Sequence, residues 1–484
     1  MTHRLSAVLR RRAGAAWMLA TLAAALGGCG GLVNPPYQEP ALAVPGSWRQ
    51  EAAGAARGAA ENGGEGGGGG AARVAPAADG DGWWRRFGDA GLDRLIEQVL
   101  ARNGDLAAAA ISVHAAQLQA RLTHTGELPT LAAEYDGAHA RGLARGGSAT
   151  SHALTGTVSY EADLWGKLAQ LTDAARWEAL ATQQDLASTR LSLIGTTANL
   201  YWKLAYLAQR IASEQDSVAY LERVLELVRV QRAAGAASPL EMLEAEQSLE
   251  SERATLSQLQ AQQAAARLSL AALLADPAAD LVSAPPPLFS LRAPAIDAGV
   301  PAGVLARRPD LRAAELRLRE QFANVNATRA SYYPTLALTG TLGTSSTALV
   351  DLLKNPIGTL GASLALPLLN WRQRDLSIQS SQASYDKAAV SFRQTLYVAL
   401  TDVETALSAR THYLQQGEQQ QRALAAARAA ERVYAVRYRA GQVSLRAWLE
   451  AQESARAAER TLAENRYNQL TAAVTLFQAL GGDV

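Results

Sequence analysis

The stretch DLAAAAISVHAAQLQARLTHTGELPTLA, residues 105–132, aligns without a gap on DLRAAELRLREQFANVNATRASYYPTLA, residues 310–337. Nine of the 28 positions are identical at an offset of 205 residues, and both stretches end in PTLA. Residues 230–250 likewise match residues 436–456 at an offset of 206, with eight of 21 positions identical. Two matches at nearly the same offset predict that one unit of about 200 residues is duplicated.

After the PTLA stretch of each copy, apolar and polar residues alternate with a period of two. In the first copy the apolar positions are Gly156, Val158, Tyr160, Ala162 and Leu164, and the polar positions between them are Thr157, Ser159, Glu161 and Asp163. In the second copy the apolar positions are Leu360, Ala362, Leu364, Leu366 and Leu368. This alternation predicts strands with one apolar face, as long as transmembrane β-strands. Val158, Tyr160 and Leu364 are predicted to face lipid, and two hairpins of a soluble β-sandwich are the alternative.

The segments that follow the strands contain almost no helix-breaking residues. After Trp165 the residues to 232 include no proline and two glycines, and after Trp371 the residues to 439 include no proline and one glycine. Helices of this length extend roughly 100 Å, which exceeds the size of a globular core. Apolar residues at heptad spacing predict a coiled-coil seam. They are Leu186, Leu193, Leu200, Leu204, Leu207 and Ile211 in the first copy, and Leu396, Leu400, Val403, Leu407 and Leu414 in the second.

Shorter helices complete each copy. An alanine-rich helix is predicted before the strands, over 92–127 and 308–332. Each long helix ends at a glycine, Gly235 or Gly441, and a second helix returns over 239–275 or 445–480. The predicted fold is therefore mainly α with a small β part, a duplicated unit of helix, β-hairpin and very long coiled-coil helices.

Four strands per chain cannot close a transmembrane barrel. Such barrels need about eight or more strands, and an open edge in lipid leaves backbone groups unpaired. Two, three or four chains would supply 8, 12 or 16 strands. The long helices would then continue the barrel as an α-helical tube.

The only cysteine of the 484 residues lies in LGGCGGL, residues 26–32. A cluster of arginines and an apolar run of about a dozen residues precede it, and this run is too short for a membrane span. Leu26-Gly27-Gly28-Cys29 resembles the lipobox of bacterial lipoproteins, which implies that residues 1–28 are a cleaved lipoprotein signal peptide and that Cys29 carries lipid. Gly30 follows, and the lipoprotein rule then indicates the outer membrane. A buried free cysteine is the alternative.

Residues 29–82 are predicted to be a lipidated N-terminal segment. Its stretch 50–81 is rich in glycine and alanine, a composition typical of a flexible linker. The linker would connect Cys29 to the first ordered element, near Trp83.

Charge and composition argue against several other classes of protein. Removal of residues 1–28 takes four of the 46 Lys and Arg and leaves 42 against 45 Asp and Glu, so the net charge near −3 gives no support to nucleic-acid binding. The six histidines are scattered and form no HExxH motif, so neither a metal site nor a cofactor is expected. No nucleophile, base and orienting group share a motif, so no catalytic residue and no enzymatic activity are expected.

A set of ordered motifs runs through residues 34–484. They are WWRRFGDAGLDRLIEQVLARNGDL from residue 83, DLW at 163–165, RRPDLRAAE at 307–315, the LPTLA and YPTLA turns, RYRAG at 437–441 and ALGG at 479–482. Together these motifs resemble TolC-type outer-membrane efflux proteins, in particular the lipidated (NodT-like) subfamily.

The resemblance implies a homotrimer that forms a 12-stranded transmembrane β-barrel in the outer membrane and a helical tunnel across the periplasm. The implied partners are a periplasmic adaptor (membrane fusion protein), an inner-membrane pump and outer-membrane lipid. The channel would passively conduct substrates such as drugs to the exterior. Residues 83–290 and 291–484 would be the first and second outer-membrane efflux repeats.

Three other functions remain open on the sequence. The chain could be the outer-membrane component of a type I protein secretion system. It could also be a coiled-coil structural lipoprotein without a pore, which explains the strands poorly, or a hydrolase with a helical domain, for which the sequence offers no site.

The turn after RYRAG departs from the family pattern. Relatives often carry a leucine and an aspartate there that line a closed periplasmic aperture, and this sequence has Arg446 and Glu450 at those positions. In a trimer these residues are predicted to form stacked rings of opposite charge, a periplasmic gate. The first copy has Leu240 and Glu244 at the equivalent positions, so the second repeat would supply most of the gate. An ordinary exposed salt bridge between residues i and i+4 is the alternative.

Overall fold

The computed structural model describes residues 35–38, 44–49, 82–143, 146–276, 286–299, 301–367 and 370–482. These residues form eight α-helices and four β-strands, joined by turns and short 3₁₀ helices. The helices are α1 Ala90–Arg102, α2 Gly104–His124, α3 Lys167–Ala233, α4 Pro239–Leu273, α5 Pro301–Arg307, α6 Pro309–Ala330, α7 Trp371–Arg439 and α8 Leu445–Leu480. The strands are β1 Thr130–Arg141, β2 Ser148–Ala162, β3 Thr335–Ser346 and β4 Ile357–Ala365.

The chain divides into two compact units, and each takes residues from both sequence copies. The first unit contains Ile111–Gln184 and Ala313–Gln394 together with residues 35–38. The second contains Ala43–Ala110, Asp185–Arg312 and Thr395–Val484. The boundaries of the two efflux repeats at 83–290 and 291–484 stay a prediction.

The first unit contains a four-stranded antiparallel sheet in the order β1-β2-β3-β4. Each hairpin comes from one copy, and β2 of the first copy pairs with β3 of the second. Trp165, just after β2, donates an indole N–H to the carbonyl oxygen of Pro334, just before β3, at 2.8 Å. Strand pairing and this hydrogen bond therefore join the two copies at the end of the sheet. Leu164 and Leu366, predicted on the apolar face, lie beyond the ends of β2 and β4, and Leu368 lies outside the described residues.

The long proline-free segments are continuous helices, as predicted. The helix α3 has 67 residues and α7 has 69. The predicted starts of α6, α4 and α8 agree with the structure to within one residue. No helix in the part of the chain that the structure describes combines the length and hydropathy needed to span a membrane.

The prediction of one helix over 92–127 is wrong, because the chain leaves the helix at Asn103. This residue has φ −64° and ψ 127°, an extended conformation. Its buried side chain donates to the Leu273 carbonyl oxygen at 3.0 Å and accepts from the Leu106 backbone N–H at 3.0 Å. The amide thus caps the first turn of α2 while it bonds to the end of α4, which favours two helices over one.

The heptad seam is buried along most of its length. Leu193 and Leu207 of α3 and Leu396 and Val403 of α7 are buried. Leu414, predicted as the last seam residue of α7, is 43% exposed. The prediction is wrong at this position, since the periodicity of a helix continues beyond the point where a neighbouring element covers it.

An aromatic cluster forms part of the core of the second unit. Trp83 stacks on Phe477 with ring centroids 4.9 Å apart, and Phe87 lies 5.6 Å from the ring of Trp202. Trp84 is buried beside Trp83. Large aromatic side chains contribute more buried apolar area than any other residue type. The motif at residue 83 and the end of α8 therefore meet in one core.

Two short pieces of the N-terminal segment pack through aromatic side chains. In the first unit Tyr37 contacts the ring of Phe322 edge-on, with centroids 5.6 Å apart. In the second unit the buried Trp48 donates its indole N–H to the Gly299 carbonyl oxygen at 2.8 Å. The prediction that order begins near Trp83 is wrong, because these isolated aromatic residues pack against partly buried partners far along the chain.

Candidate functional site

One face of the sheet is apolar on all four strands. Residues that lie opposite each other in neighbouring strands share a face. Val158 lies opposite Leu131 on β1 and Gly340 on β3, and the same register brings Tyr160 and Leu364 to this face. The apolar set is Leu131, Ala133, Tyr135, Leu154, Gly156, Val158, Tyr160, Leu336, Leu338, Gly340, Leu342, Leu360, Ala362 and Leu364.

The apolar face is exposed rather than packed. Val158 is 42% exposed, Leu364 60% and Leu360 93%. The opposite face contains mostly hydroxyl and carboxyl side chains, among them Thr157 and Ser363. A contiguous exposed apolar surface of this kind marks contact with lipid or with another molecule. The sequence predicted which residues share the face, and their contact with lipid stays a prediction.

The two predicted helix-turn glycines have the same geometry. Gly235 has φ +76° and Gly441 has φ +72°, a left-handed conformation that favours glycine. Ala236 donates to the Gln231 carbonyl oxygen at 2.8 Å, and Gln442 donates to that of Arg437 at 2.9 Å. In each copy the backbone N–H of the glycine also donates to the carbonyl oxygen three residues before it. The two hydrogen bonds together form a Schellman motif in both copies.

The helix after each turn begins at a serine cap. The Ser238 hydroxyl accepts from the Glu241 N–H at 3.2 Å, and the Glu241 carboxylate accepts from the Ser238 N–H at 2.6 Å. This reciprocal pair is a capping box. The hydrogen bond from the Ser238 backbone lowers the pKa of Glu241 below its ordinary value. In the second copy the Ser444 hydroxyl accepts from the Ala447 N–H. Ala447 has no carboxylate, so the capping box is not completed there.

The predicted gate residues pair at the start of α8. Arg446 Nε lies 3.0 Å from Glu450 Oε1, and Nη1 lies 4.0 Å from Glu244 Oε2 on α4. The hydrogen bond to Glu450, with the charges of Glu450, Glu244 and Glu241, raises the pKa of the Arg446 guanidinium. The Arg446 side chain is 78% exposed. One cation therefore faces three carboxylates contributed by both copies.

Contacts across each turn hold the two helices of a copy together. Tyr438 of α7 stacks on Trp448 of α8 with centroids 5.1 Å apart. The equivalent positions of the first copy are Arg232 and Met242, where Arg232 Nη1 lies 2.8 Å from the sulfur of Met242. Neither contact was predicted from the sequence. The offset of 206 residues between the two turns was the signal that could have found them.

Three further points concern the predicted lipid anchor, metal sites and the gate. Cys29 is outside the described residues. Among the residues described, no group of three or more His, Cys, Asp or Glu side chains is placed to hold a metal ion. Glu244 as a partner of Arg446 was also missed, because the two residues are far apart in sequence.

The fold combines a small β-sheet, one face of which is apolar and exposed, with two very long helices. Residues 95–276 and 300–482 match the family model described as outer membrane efflux protein. The chain belongs to the outer membrane efflux protein family.

Two similar proteins are named for export. "Toxin and drug export protein A" of Aggregatibacter actinomycetemcomitans is 31% identical over 402 residues, which cover 83% of this chain and 88% of that protein. "Pyoverdine export outer membrane protein OpmQ" of Pseudomonas aeruginosa is 30% identical over 468 residues, which cover 94% of each chain. The crystal structure of the open state of the Neisseria gonorrhoeae MtrE outer membrane channel covers 93% of this chain and 98% of its own at 26% identity, with a TM-score of 0.81.

Proposed function

We propose that this protein is the outer-membrane exit duct of a tripartite efflux system. It passively conducts substrates, received from an inner-membrane pump through a periplasmic adaptor, to the exterior. The observation that carries this proposal is the apolar face that runs across all four strands of the sheet, in a chain of the outer membrane efflux protein family. An apolar face in lipid and a polar face toward a lumen are the properties of a transmembrane barrel strand.

Closure of the barrel requires more than one chain, and the resemblance to TolC-type proteins implies three. The sheet of one chain has β1 and β4 at its edges. An edge that is open in lipid leaves backbone N–H and C=O groups unpaired, and each unpaired group costs several kcal/mol. Pairing of β4 of one chain with β1 of the next removes both edges. Three chains give a 12-stranded barrel, continued by the helices α3, α4, α7 and α8 as the tunnel.

The proposed duct acts without catalysis and without a cofactor. Relatives carry names that refer to pyoverdine, to toxins and drugs, to toluene and to cations. This chemical breadth supports a duct that does not select its substrate, with selection left to the pump. A second candidate, the outer-membrane component of a protein secretion system, is favoured by the relative named for toxin export.

Reconstitution tests the proposed function. Full-length protein purified from membranes is expected to run as a trimer and to conduct ions in planar lipid bilayers. Copurification from cells is expected to yield an adaptor and an inner-membrane pump of the drug-efflux type. A transporter that exports proteins, found in its place, would favour the secretion candidate. Extraction by carbonate, with no conductance, would contradict the channel.

Replacement of the proposed lipid anchor is expected to remove lipid but not assembly. In Cys29→Ser the sulfur that accepts diacylglycerol is absent, so acyl labelling and signal cleavage are lost. One acyl chain contributes about 0.8 kcal/mol per buried methylene, whereas the barrel holds the protein in the bilayer independently. Metabolic labelling with palmitate measures the first effect. Trimer yield from a variant with a non-lipoprotein signal measures the second, and label on Cys29→Ser would contradict the assignment.

A further inference from the structure

Two carboxylates and one guanidinium meet inside the helical part of the second unit. Glu214 lies on α3, Glu252 on α4 and Arg460 on α8. The Glu214 side chain is 2% exposed, and those of Glu252 and Arg460 are mostly buried. A buried acid requires either an opposite charge or a proton, because ionised groups lose hydration when they leave water.

The guanidinium does not satisfy both acids. Arg460 Nη1 lies 3.6 Å from Glu252 Oε1 and 3.9 Å from Glu214 Oε2, which are distances of ion pairs rather than hydrogen bonds. The other terminal nitrogen of Arg460 is hydrogen-bonded to Glu453. Within the described residues, Glu214 Oε2 and Glu252 Oε1 have no hydrogen-bond donor.

A proton shared by the two acids would supply the missing donor. Glu252 Oε1 and Glu214 Oε2 lie 3.6 Å and 3.9 Å from the same Arg460 nitrogen, so the two carboxyl groups are neighbours. Two carboxylates that share a site cannot both ionise at ordinary cost, so one of them retains its proton to a higher pH. Burial, the hydrogen bond to Glu214 and the negative charges of Glu214 and Glu453 raise the pKa of Glu252 to about 7, and the charge of Arg460 opposes them.

Other charged and titratable groups surround the pair. From α3, Arg210 Nη2 lies 4.0 Å from Glu214 Oε2 and its other terminal nitrogen lies 3.5 Å from the Tyr206 hydroxyl. From α8, Arg456 pairs with Glu453 at 3.3 Å. Arg456 therefore has a partner outside the site, Arg210 is a second cation beside Glu214, and Arg460 is shared among Glu252, Glu214 and Glu453.

We propose that Glu214 and Glu252 form a proton-binding site whose protonation tightens the packing of α3, α4 and α8. A group whose pKa is higher in the folded protein than in the unfolded chain favours the folded state at low pH. The contribution is fully present below pH 4.5, the ordinary value for glutamate, and is lost as the pH rises through about 7. The helices of the two copies are then held more tightly in acid than at neutral or alkaline pH.

Hydrogen exchange of the full-length protein tests this site at pH 5.5 and pH 8. One proton of difference changes a local opening equilibrium by up to about tenfold per pH unit. After correction for the intrinsic pH dependence of exchange, we expect peptides around residues 214, 252 and 460 to lose protection by about three- to tenfold at the higher pH. In Glu252→Gln the neutral amide donates to Glu214 at every pH, so protection is expected to stay high and independent of pH.

Glu250→Gln is the matched control. Glu250 lies on the same helix, is exposed and pairs with Arg253 at 2.8 Å, so this variant is expected to keep the pH dependence of the wild type. The same pH dependence in Glu252→Gln and wild type would overturn the proposal. Infrared spectra of the wild type give a second measurement: a protonated-carboxyl absorption at pH 5.5 that disappears at pH 8 supports the pair, and its absence at pH 5.5 overturns it. Neither measurement requires ion conduction.

Discussion

Arginine in place of Val158 is expected to destabilise the membrane-inserted protein by about 2–4 kcal/mol, whereas arginine in place of Thr157 is expected to be tolerated. The two residues are adjacent on β2 and point to opposite faces of the sheet. On the apolar face the guanidinium would have to enter hydrocarbon, and on the polar face it would lie in the water-filled lumen. The yield of trimer in the membrane fraction and its unfolding by denaturant in detergent measure the difference.

The fourth strand offers a matched pair for the same comparison. Leu364→Arg is expected to behave as Val158→Arg does, and Ser363→Arg as Thr157→Arg does. Tyr160 lies between Val158 and Leu364 in the register of the sheet, so Tyr160→Arg is expected to have a similar cost. Equal loss of trimer for the variants of both faces would favour a soluble sandwich and would argue against the barrel.

Removal of Arg446 is expected to change ion conduction more than removal of Glu450. Arg446→Ala leaves the carboxylates of Glu450, Glu244 and Glu241 without the nearby cation, so three copies would present an acidic ring. Fixed charge at a narrow constriction changes local ion concentration steeply. The expected result is an increase of about threefold or more in the permeability ratio of cations to anions, measured from reversal potentials in bilayers.

Glu450→Ala is expected to have the weaker effect, because Glu244 remains 4.0 Å from Arg446. The partly unbalanced arginines are expected to widen the closed state, so single-channel conductance and leak of large antibiotics in cells without the pump increase. Arg253→Ala, which removes an exposed pair of α4 with Glu222, is the control and is expected to conduct as the wild type does. Wild-type conductance and ion selectivity in both Arg446→Ala and Glu450→Ala would contradict the charged gate. Control of the aperture would then depend on the packing of the helices.

Much of the fold could be predicted because it depends on local periodicity. The near absence of proline and glycine predicted α3 and α7, and alternation of period two predicted the faces of the sheet. The break at Asn103 could not be predicted, since a single asparagine in an alanine-rich segment costs a helix little. Its conformation depends on the Leu273 carbonyl group, which is about 170 residues away in the chain.

The charged contacts were predictable only where they lie within one helix. Arg446 and Glu450 are one turn apart, so their ion pair follows from helical spacing. The approach of Arg446 to Glu244 and the meeting of Glu214 with Glu252 depend on how separate helices pack. On a single helix each of these acids is indistinguishable from a solvated surface charge, and only the tertiary structure reveals which of them is buried.

The unpaired edges of the sheet have a consequence for biogenesis. Under the proposed assembly, β1 and β4 would present free backbone groups beside an apolar surface until three chains meet in lipid. Edges of this kind recruit other unfinished chains into aggregates. The helices form from local contacts and need no partner for their backbone hydrogen bonds. A newly made chain is therefore expected to travel with folded helices and unfolded strands, escorted by a holding chaperone, and insertion itself would complete the sheet.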